Sequence, residues 1–306
     1  MTSTTPRLHD LAIVNARVLD VFTGDLSPKT VLVDGGRISG FADAAADPKA
    51  QTVFDARGGV LLPGLIDSHV HIESSMLSPA GFAALVLPFG TTTVIADPHE
   101  MANVAGLKAM EGLIEACRAL PLSVKIMVPS CVPALPFEDA GATIDAGETE
   151  ALLKRPEIFG LGEMMNVPGL IGEDEEPNRK AASARLCGKP IDGHAPLLTG
   201  AGLEAYAAKG VLTDHECTTR EELRERISLG MYVAIREGSL ARNLLALVEG
   251  LTPDESRRCT FCTDDRHAAD TLRRGHVNGM LAMAVKAGLA LSLIHISEPT
   301  RRVVIS

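Results

Sequence analysis

From about residue 60 onward, short apolar runs alternate with helix-compatible segments, and this alternation restricts the fold more than any other feature of the chain. A strand, a helix and a further strand in succession give a parallel sheet with crossover connections. About eight runs occur, which favours a closed barrel over an open doubly wound sheet. An open sheet would usually carry a glycine-rich phosphate loop after its first strand, and no GxGxxG or P-loop motif occurs. We therefore predict an α/β fold with a (β/α)₈ barrel of the TIM type over residues 61–290; the runs are VLLPGLIDSHVH, TTTVIADPHE, SVKIMVPS, EIFGLGEMM, KPIDGHA, GVLTDHE, MYVAIREGS and RCTFCTDDR.

The first part of the chain lacks helical periodicity. LAIVNARVLD, TVLVDGGRISG and QTVFDARGGVLLPG are rich in β-branched residues and contain turn residues such as Asp34-Gly35-Gly36. Such stretches are typical of strands that are joined by tight turns. Residues 1–60 are therefore predicted to form a small β-sandwich domain or a single sheet.

Composition and charge limit the partners. The net charge of −10 disfavours nucleic acids and anionic membranes, because an acidic surface repels both. No apolar run approaches the roughly 20 residues that span a bilayer, and residues 1–20 show no signal-peptide pattern. The six cysteines are scattered, unlike a disulfide framework. We expect a cytoplasmic protein that binds neither nucleic acid nor a membrane.

Nearly every predicted barrel strand ends in His, Asp or Glu, and the carboxyl ends of such strands are where barrel enzymes gather catalytic groups. His69 and His71 lie two residues apart, so on a strand both imidazoles face the same side. An isolated HxH is weak evidence, but further ligand types end four later strands. Imidazole and carboxylate groups suit divalent transition metals. The predicted metal ligands are His69, His71, Glu163, His194, His215 and Asp264.

This set of ligands fits two ions better than one. Two histidines would bind each ion, and Glu163 would lie between the ions. Asp264 would bind a metal and also transfer protons, which makes Asp264 and Glu163 the predicted catalytic residues. Any one strand-end His or Asp has a simpler explanation as a hydrogen-bonded core or capping group. Chance placement on five separate strands is much less plausible.

Four further residues are candidates with weaker support. His99, in DPHE after the second strand, is predicted as a metal ligand or substrate contact, with a structural role equally compatible with its position. Arg236, Glu237 and Ser239 end the seventh run, so they are candidates for substrate binding at the same rim. A salt-bridged rim without contact to substrate is the alternative for these three residues.

Several motifs together resemble a known family. NARVLDVFTGD, GLIDSHVHIESSML, GTTTVIADPHE, GLGEMMN, DGHAP, TDHE, REGS and CTDDR are similar to the adenine deaminases of the amidohydrolase superfamily. GLIDSHVH alone marks only the superfamily, whereas HIESSML, DPHE and GLGEMMN together are more specific. The resemblance extends from about residue 10 to about residue 290.

The resemblance implies hydrolysis of adenine to hypoxanthine and ammonia by a metal-activated hydroxide that attacks C6. It implies a binuclear centre of manganese or iron, with zinc as a third option, and a homodimer or larger assembly. Related superfamily members such as dihydroorotase bridge the metals with a carboxylated lysine, whereas Glu163 stands in the fourth run here. The proton donor to the purine ring nitrogen stays open among Glu237, Glu216 and Asp265.

The end of the sequence departs from the family. Residues 291–306, LSLIHISEPTRRVVIS, do not resemble it, and family members continue considerably further. We therefore expect an anomalous tail, which includes His295, and a barrel protein truncated at its carboxyl end. The alternatives to adenine deaminase are another amidohydrolase acting on a cyclic amide or N-acetyl substrate, and an inactive truncated fragment.

Overall fold

The computed structural model describes residues 8–135 and 137–289. The predicted anomalous tail, 291–306, lies outside the described residues. Within them the chain forms two compact units, the first ending at Pro63 and the second beginning at Gly64.

The first unit is one five-stranded sheet. Strand β1 pairs antiparallel with β2 and parallel with β4 and β5, while β2 pairs antiparallel with β3. Gly35 and Gly36 join β2 to β3 with φ angles of +56° and +72°, a turn conformation that glycine adopts without strain. Of the two predicted forms, the described residues show the single sheet. Its strands are β1 His9–Leu19, β2 Leu26–Asp34, β3 Arg37–Asp43, β4 Ala50–Asp55 and β5 Val60–Leu61.

The second unit contains eight parallel strands, one for each predicted apolar run. They form two ladders, β6 to β10 and β11 to β13. The Leu212 amide donates to the Ile191 carbonyl (2.9 Å) where the ladders meet, and the Asp264 amide donates to the His69 carbonyl (3.0 Å) between the last and first strands. The predicted barrel is therefore confirmed. Its strands are β6 Leu65–Val70, β7 Thr91–Ala96, β8 Ser123–Val128, β9 Ile158–Met164, β10 Ile191–Gly193, β11 Thr213–Asp214, β12 Tyr232–Arg236 and β13 Cys259–Cys262.

Helices follow the strands, and their first residues explain where several begin. Asp145 and Glu148 form a capping box at one helix, and Thr219 and Glu222 form one at another. In each box, the two side chains accept hydrogen bonds from each other's backbone amides, which have no partner within the helix. No helix in the described part of the chain is long and apolar enough to cross a membrane. The helices are α1 Pro79–Val86, α2 His99–Ala105, α3 Leu107–Cys117, α4 Ala146–Leu153, α5 Val167–Ile171, α6 Glu175–Leu186, α7 Gly200–Ala208, α8 Arg220–Ser228, α9 Leu244–Val248, α10 Pro253–Ser256, α11 Ala268–Arg274 and α12 Val277–Lys286; Ile72–Ser75 and Leu87–Phe89 are 3₁₀ turns.

The core lies around the barrel strands, whose residues are buried on both faces. In β9, six of the seven residues are buried and the other is partly buried. Leu161 and Met164 of that strand are fully enclosed, as are Leu170 and Tyr206 on neighbouring helices. Burial on both faces is expected of a parallel sheet that is covered by helices. The strands are thus held rigidly, and their carboxyl ends meet at one rim.

Candidate metal centre

All six predicted ligands lie at the carboxyl ends of barrel strands and converge. The distances between their side-chain atoms divide them into two groups that share Glu163. The residues are His69 and His71 at the end of β6, Glu163 near the end of β9, His194 after β10, His215 after β11 and Asp264 after β13.

The first group contains His69, His71 and Asp264. Nε2 of His69 lies 3.1 Å from Nε2 of His71. Oδ1 of Asp264 lies 3.1 Å from the His71 nitrogen and 3.4 Å from the His69 nitrogen. All three residues are buried. Three potential ligand atoms therefore face one point.

Hydrogen bonds fix the tautomers of both histidines. Nδ1 of His69 lies 2.7 Å from Oδ2 of Asp192, and Nδ1 of His71 lies 2.7 Å from the carbonyl oxygen of Asp97. Because each acceptor is an oxygen, each Nδ1 donates a hydrogen. In the neutral rings, the Nε2 lone pairs then point toward each other at contact distance, which is unfavourable unless a cation lies between them. The donors present therefore fit a metal ion.

The second group contains His194 and His215. Oε2 of Glu163 lies 2.8 Å from Nδ1 of His194 and 3.2 Å from Nε2 of His215. The other oxygen, Oε1, lies 3.5 Å from Nε2 of His71 in the first group. One carboxylate thus presents an oxygen to each group, which is the geometry of a bridging ligand.

Glu163 is held in place through its backbone. Its amide donates to Oδ2 of Asp97 (2.7 Å), and the carbonyl of Glu163 accepts from Ser130. The preceding residue, Gly162, lies so close to the same carboxylate that a Cβ there would come within 2.2 Å of Oδ2. A glycine at this position therefore allows Asp97 to hold Glu163.

The charges in the centre favour cations. Burial disfavours the ionised form of every group, but Asp264 and neighbouring carboxylates outweigh it and raise the pKa of His71 to about 10. Burial likewise opposes ionisation of Glu163, yet hydrogen bonds from His194 and other histidines hold its pKa well below its usual range. Without ions, protonated histidines balance the carboxylates. Divalent ions can take over that balance because they compete with protons for the same nitrogen atoms.

His99, the first residue of α2, borders the carboxylate of Glu163. Its Nδ1 lies 2.9 Å from Oε1 of Glu163, and its ring centre lies 4.5 Å from that of His71. Burial lowers the pKa of His99, but the contact with Glu163 and the charges of Asp97 and Glu163 together outweigh burial and raise the pKa to about 9. The residue lies next to the two groups, and its role as metal ligand or substrate contact stays a prediction.

The three predicted substrate-binding residues differ in their surroundings. Arg236 is buried and bonded to carboxylates at the rim. Burial raises the pKa of the Glu237 carboxyl. The Ser239 hydroxyl donates to Oδ2 of Asp270 (2.6 Å), which ties it to α11. Substrate binding by the three residues stays a prediction.

The sequence patterns did not predict a role for Asp97 or Asp192, although both aspartates have clear structural roles. Asp192 orients the ring of His69, and Asp97 holds both His71 and Glu163. A repeated pattern could have indicated them, because an aspartate stands two residues before a histidine at the ends of four strands. The pairs are Asp67-x-His69, Asp97-x-His99, Asp192-x-His194 and Asp265-x-His267.

A buried ion pair supports the second group. Nε of Arg226 lies 2.6 Å from Oδ2 of Asp214, and both side chains are fully buried. Arg226 also donates to the carbonyl of Ala195 (2.8 Å), next to His194. Asp214 accepts from the amide of Glu216 (3.0 Å), next to His215. The pair therefore fixes the backbone on both sides of the second group.

A cavity opens beside the second group. Its volume is about 350 Å³, and its lining includes His194 together with Leu135, Met165, Val167 and Leu198. These residues belong to three successive loops at the rim. Mostly apolar walls with a few polar groups are typical of small-molecule sites.

Known proteins are similar to this chain in sequence. An adenine deaminase of Nitratidesulfovibrio vulgaris (strain DP4) is 53% identical over 280 residues, which are 92% of this chain and 48% of that protein. An adenine deaminase of Thermosipho africanus is 45% identical over 286 residues, again 92% of this chain and 49% of the relative. The chain thus spans about half the length of these curated relatives.

Solved structures of low sequence identity share the fold. An L-hydantoinase from Arthrobacter aurescens aligns with 93% of this chain and 79% of its own, with a TM-score of 0.62 and 18% identity. A dihydroorotase aligns with 95% of this chain and 81% of its own, with a TM-score of 0.63 and 18% identity. The sequence model of the amidohydrolase family matches residues 60–293. The chain, with its barrel and its converging histidines and carboxylates, belongs to the amidohydrolase family.

Proposed function

We propose that this chain provides the metal centre of an adenine deaminase, which hydrolyses adenine to hypoxanthine and ammonia. One observation carries the proposal: Glu163 of the fourth barrel strand presents one carboxylate oxygen to each of two histidine groups. The adenine deaminases that match 92% of the chain support the choice of substrate.

The donor set suits two divalent ions. His69, His71 and Asp264 would hold the first, His194 and His215 the second, and Glu163 would bind both. Bound there, the ions would polarise water enough to supply a nucleophile at neutral pH. Imidazole and carboxylate donors are compatible with manganese, iron or zinc, and we propose manganese or iron from the family resemblance.

Asp264 is placed to move protons. Its Oδ1 lies within 3.4 Å of both histidine nitrogens of the first group, where the attacking water would be held. Burial opposes its ionisation, but His69 and His71 lower the pKa of Asp264, so the side chain is an ionised carboxylate at neutral pH. We propose that it takes a proton from the water and passes one to the departing amine.

The cavity beside His194 would receive the purine. A volume of about 350 Å³ exceeds what one adenine needs, and apolar walls suit the faces of a flat aromatic ring. His194 at its lining connects this space to the second group.

Activity of the metal-loaded chain tests the proposal. Adenine should yield hypoxanthine and ammonia after addition of Mn²⁺ or Fe²⁺, and Asp264→Asn should lower kcat by about a hundredfold or more. Asp254→Asn serves as the control, because that carboxylate is exposed on α10. Full activity of the Asp264 variant with its metal retained would refute the proton-transfer role.

Two other outcomes would support the alternatives. Turnover of a cyclic amide or an N-acetyl compound, without turnover of adenine, would indicate another amidohydrolase activity. Fewer than one bound ion per chain, with no turnover after metal addition, would indicate an inactive fragment. The homodimeric or larger assembly and the cytoplasmic location stay proposals based on the sequence.

A further inference from the structure

Arg236 lies between two carboxylates at the rim of the barrel. It ends β12, the seventh barrel strand, whereas Glu216 follows β11 and Asp264 follows β13. The side chains of all three residues are largely buried, with exposed fractions of 9%, 11% and 8% in the order given. The arginine thus connects the strands on both of its sides at the level of the metal centre.

Each of the three guanidinium nitrogens bonds a neighbouring side chain. One terminal nitrogen bonds both Oε1 of Glu216 and Oδ2 of Asp264, the latter at 3.1 Å. The other terminal nitrogen donates to Oε2 of Glu216 (3.0 Å), and Nε donates to Oδ1 of Asn243 (3.3 Å). Such a two-point bond fixes the plane of the Glu216 carboxylate as well as its distance.

Each carboxylate also faces one of the two histidine groups. The Oδ1 atom of Asp264 points to the first group, while its Oδ2 binds Arg236. Oε1 of Glu216 lies 3.5 Å from Nδ1 of His194 and 3.4 Å from Nε2 of His215 in the second group. The guanidinium group of Arg236 therefore sets the position of one carboxylate next to each of the two proposed ions.

We propose that Arg236 is a positioning residue that holds Asp264 toward the first ion and Glu216 toward the second, instead of binding substrate itself. The inference rests on the proposed function for its catalytic part, since Asp264 is the proposed proton acceptor. Removal of the guanidinium would leave two buried carboxylates adjacent to each other without their shared cation. Both would then turn away from their present positions, and the effect would be measurable before any substrate is added.

Binding and absorption of Co²⁺ test the inference without substrate. Arg236→Gln should weaken binding of the first ion by about tenfold or more and should change the visible absorption of bound Co²⁺, since a ligand that loses its support shifts. Arg236→Lys restores the charge but cannot bond both carboxylates in the same way, so it should recover only part of the affinity. Arg258→Gln is the matched control, because that side chain lies at the opposite end of the same strand pair, over Tyr232.

Kinetics separate positioning from substrate contact. If Arg236 positions the carboxylates, Arg236→Gln lowers kcat by about tenfold or more while KM for adenine changes little. An increased KM with unchanged kcat, Co²⁺ affinity and absorption would overturn the inference and assign a substrate contact. Thermal melting shows whether Arg236→Gln folds. If it does not fold, the same measurements of Co²⁺ affinity, Co²⁺ absorption, kcat and KM on Arg236→Lys decide between positioning and substrate contact. A chain that binds Co²⁺ but does not deaminate adenine would refute the proposed function, and the metal measurements would still decide the role of Arg236.

Discussion

Replacement of Arg226 by leucine should destabilise the chain severely. The substitution leaves the carboxylate of Asp214 fully buried without its cation, since both members of the pair have 0% exposure. Loss of one partner of a buried pair costs about 3–5 kcal/mol, a large share of the roughly 5–15 kcal/mol by which folded proteins are stable. An unfolding entropy of about 2.1 cal/mol/K per residue corresponds to about 1.6 °C per kcal/mol for 306 residues, so Tm should fall by about 5–8 °C. Guanidinium chloride unfolding, followed by circular dichroism, gives the free energy directly.

Two further variants make this prediction specific. Arg224 lies on the same helix but is 58% exposed where it contacts Glu255, so Arg224→Leu should cost no more than about 1 kcal/mol. Adding Asp214→Asn to Arg226→Leu should recover about 2 kcal/mol, because a neutral amide is less costly to bury and still accepts the Glu216 amide. Equal costs for Arg226→Leu and Arg224→Leu, or no recovery in the double variant, would refute the reasoning.

Four further predictions concern the centre itself. Asp192→Ala should weaken binding of the first ion about ten- to a hundredfold, because the ring of His69 loses the acceptor that orients it. Equilibrium dialysis with Zn²⁺ measures this affinity. An unchanged affinity would contradict the orienting role of Asp192. Ion binding should strengthen as the pH rises toward 10, because His71 must lose its proton before it can coordinate, and calorimetry in buffers of different ionisation enthalpy should detect proton release at pH 7. In the ion-free chain, the raised pKa of His71 stabilises the folded state below pH 6.5, and this stabilisation is lost as the pH rises through about 10. Tm measured in EDTA should therefore fall over that pH interval. A constant Tm would contradict a stabilising role for protonated His71. Gly162→Ala should lower the free energy of unfolding by about 2 kcal/mol or more, because a Cβ at that position has no room. Gly112→Ala, which has open space around it on α3, should be neutral or stabilising by up to about 1 kcal/mol. Similar unfolding free energies for the two variants would exclude the steric argument.

The sequence predicted the barrel because each strand leaves two local signals. An apolar run marks the strand, and a polar residue at its carboxyl end marks the rim, so β9 and Glu163 could be located without coordinates. The convergence of the ligands follows from the closure of parallel strands, which brings their ends together. The family resemblance added the substrate class, which neither periodicity nor spacing contains.

Contacts across the barrel could not be predicted. The contact between Asp192 and His69 joins strands that are not neighbours in the sheet, and it depends on the tilt and stagger of the strands. The two-sided bond of Arg236 likewise depends on how the ends of β11 and β13 lie relative to β12. The parallel pairing of β4 with β1 in the first unit is also absent from the local pattern, because turn residues indicate only where strands end.

The proposed metal ligands also join the first and last strands of the barrel. Asp264 exchanges backbone hydrogen bonds with the segment that carries His69 and His71, and just below it Thr263 bonds Asp67, 196 positions earlier in the chain. The site proposed for the first ion needs residues from both the first and the eighth barrel strand. It can therefore form only after the eighth strand has been synthesised. Such long-range closure makes folding slow, because the entropy of the intervening chain is lost before the contacts form. Binding of the first proposed ion would therefore require both strands, and an ion held there would link the two ends of the ring.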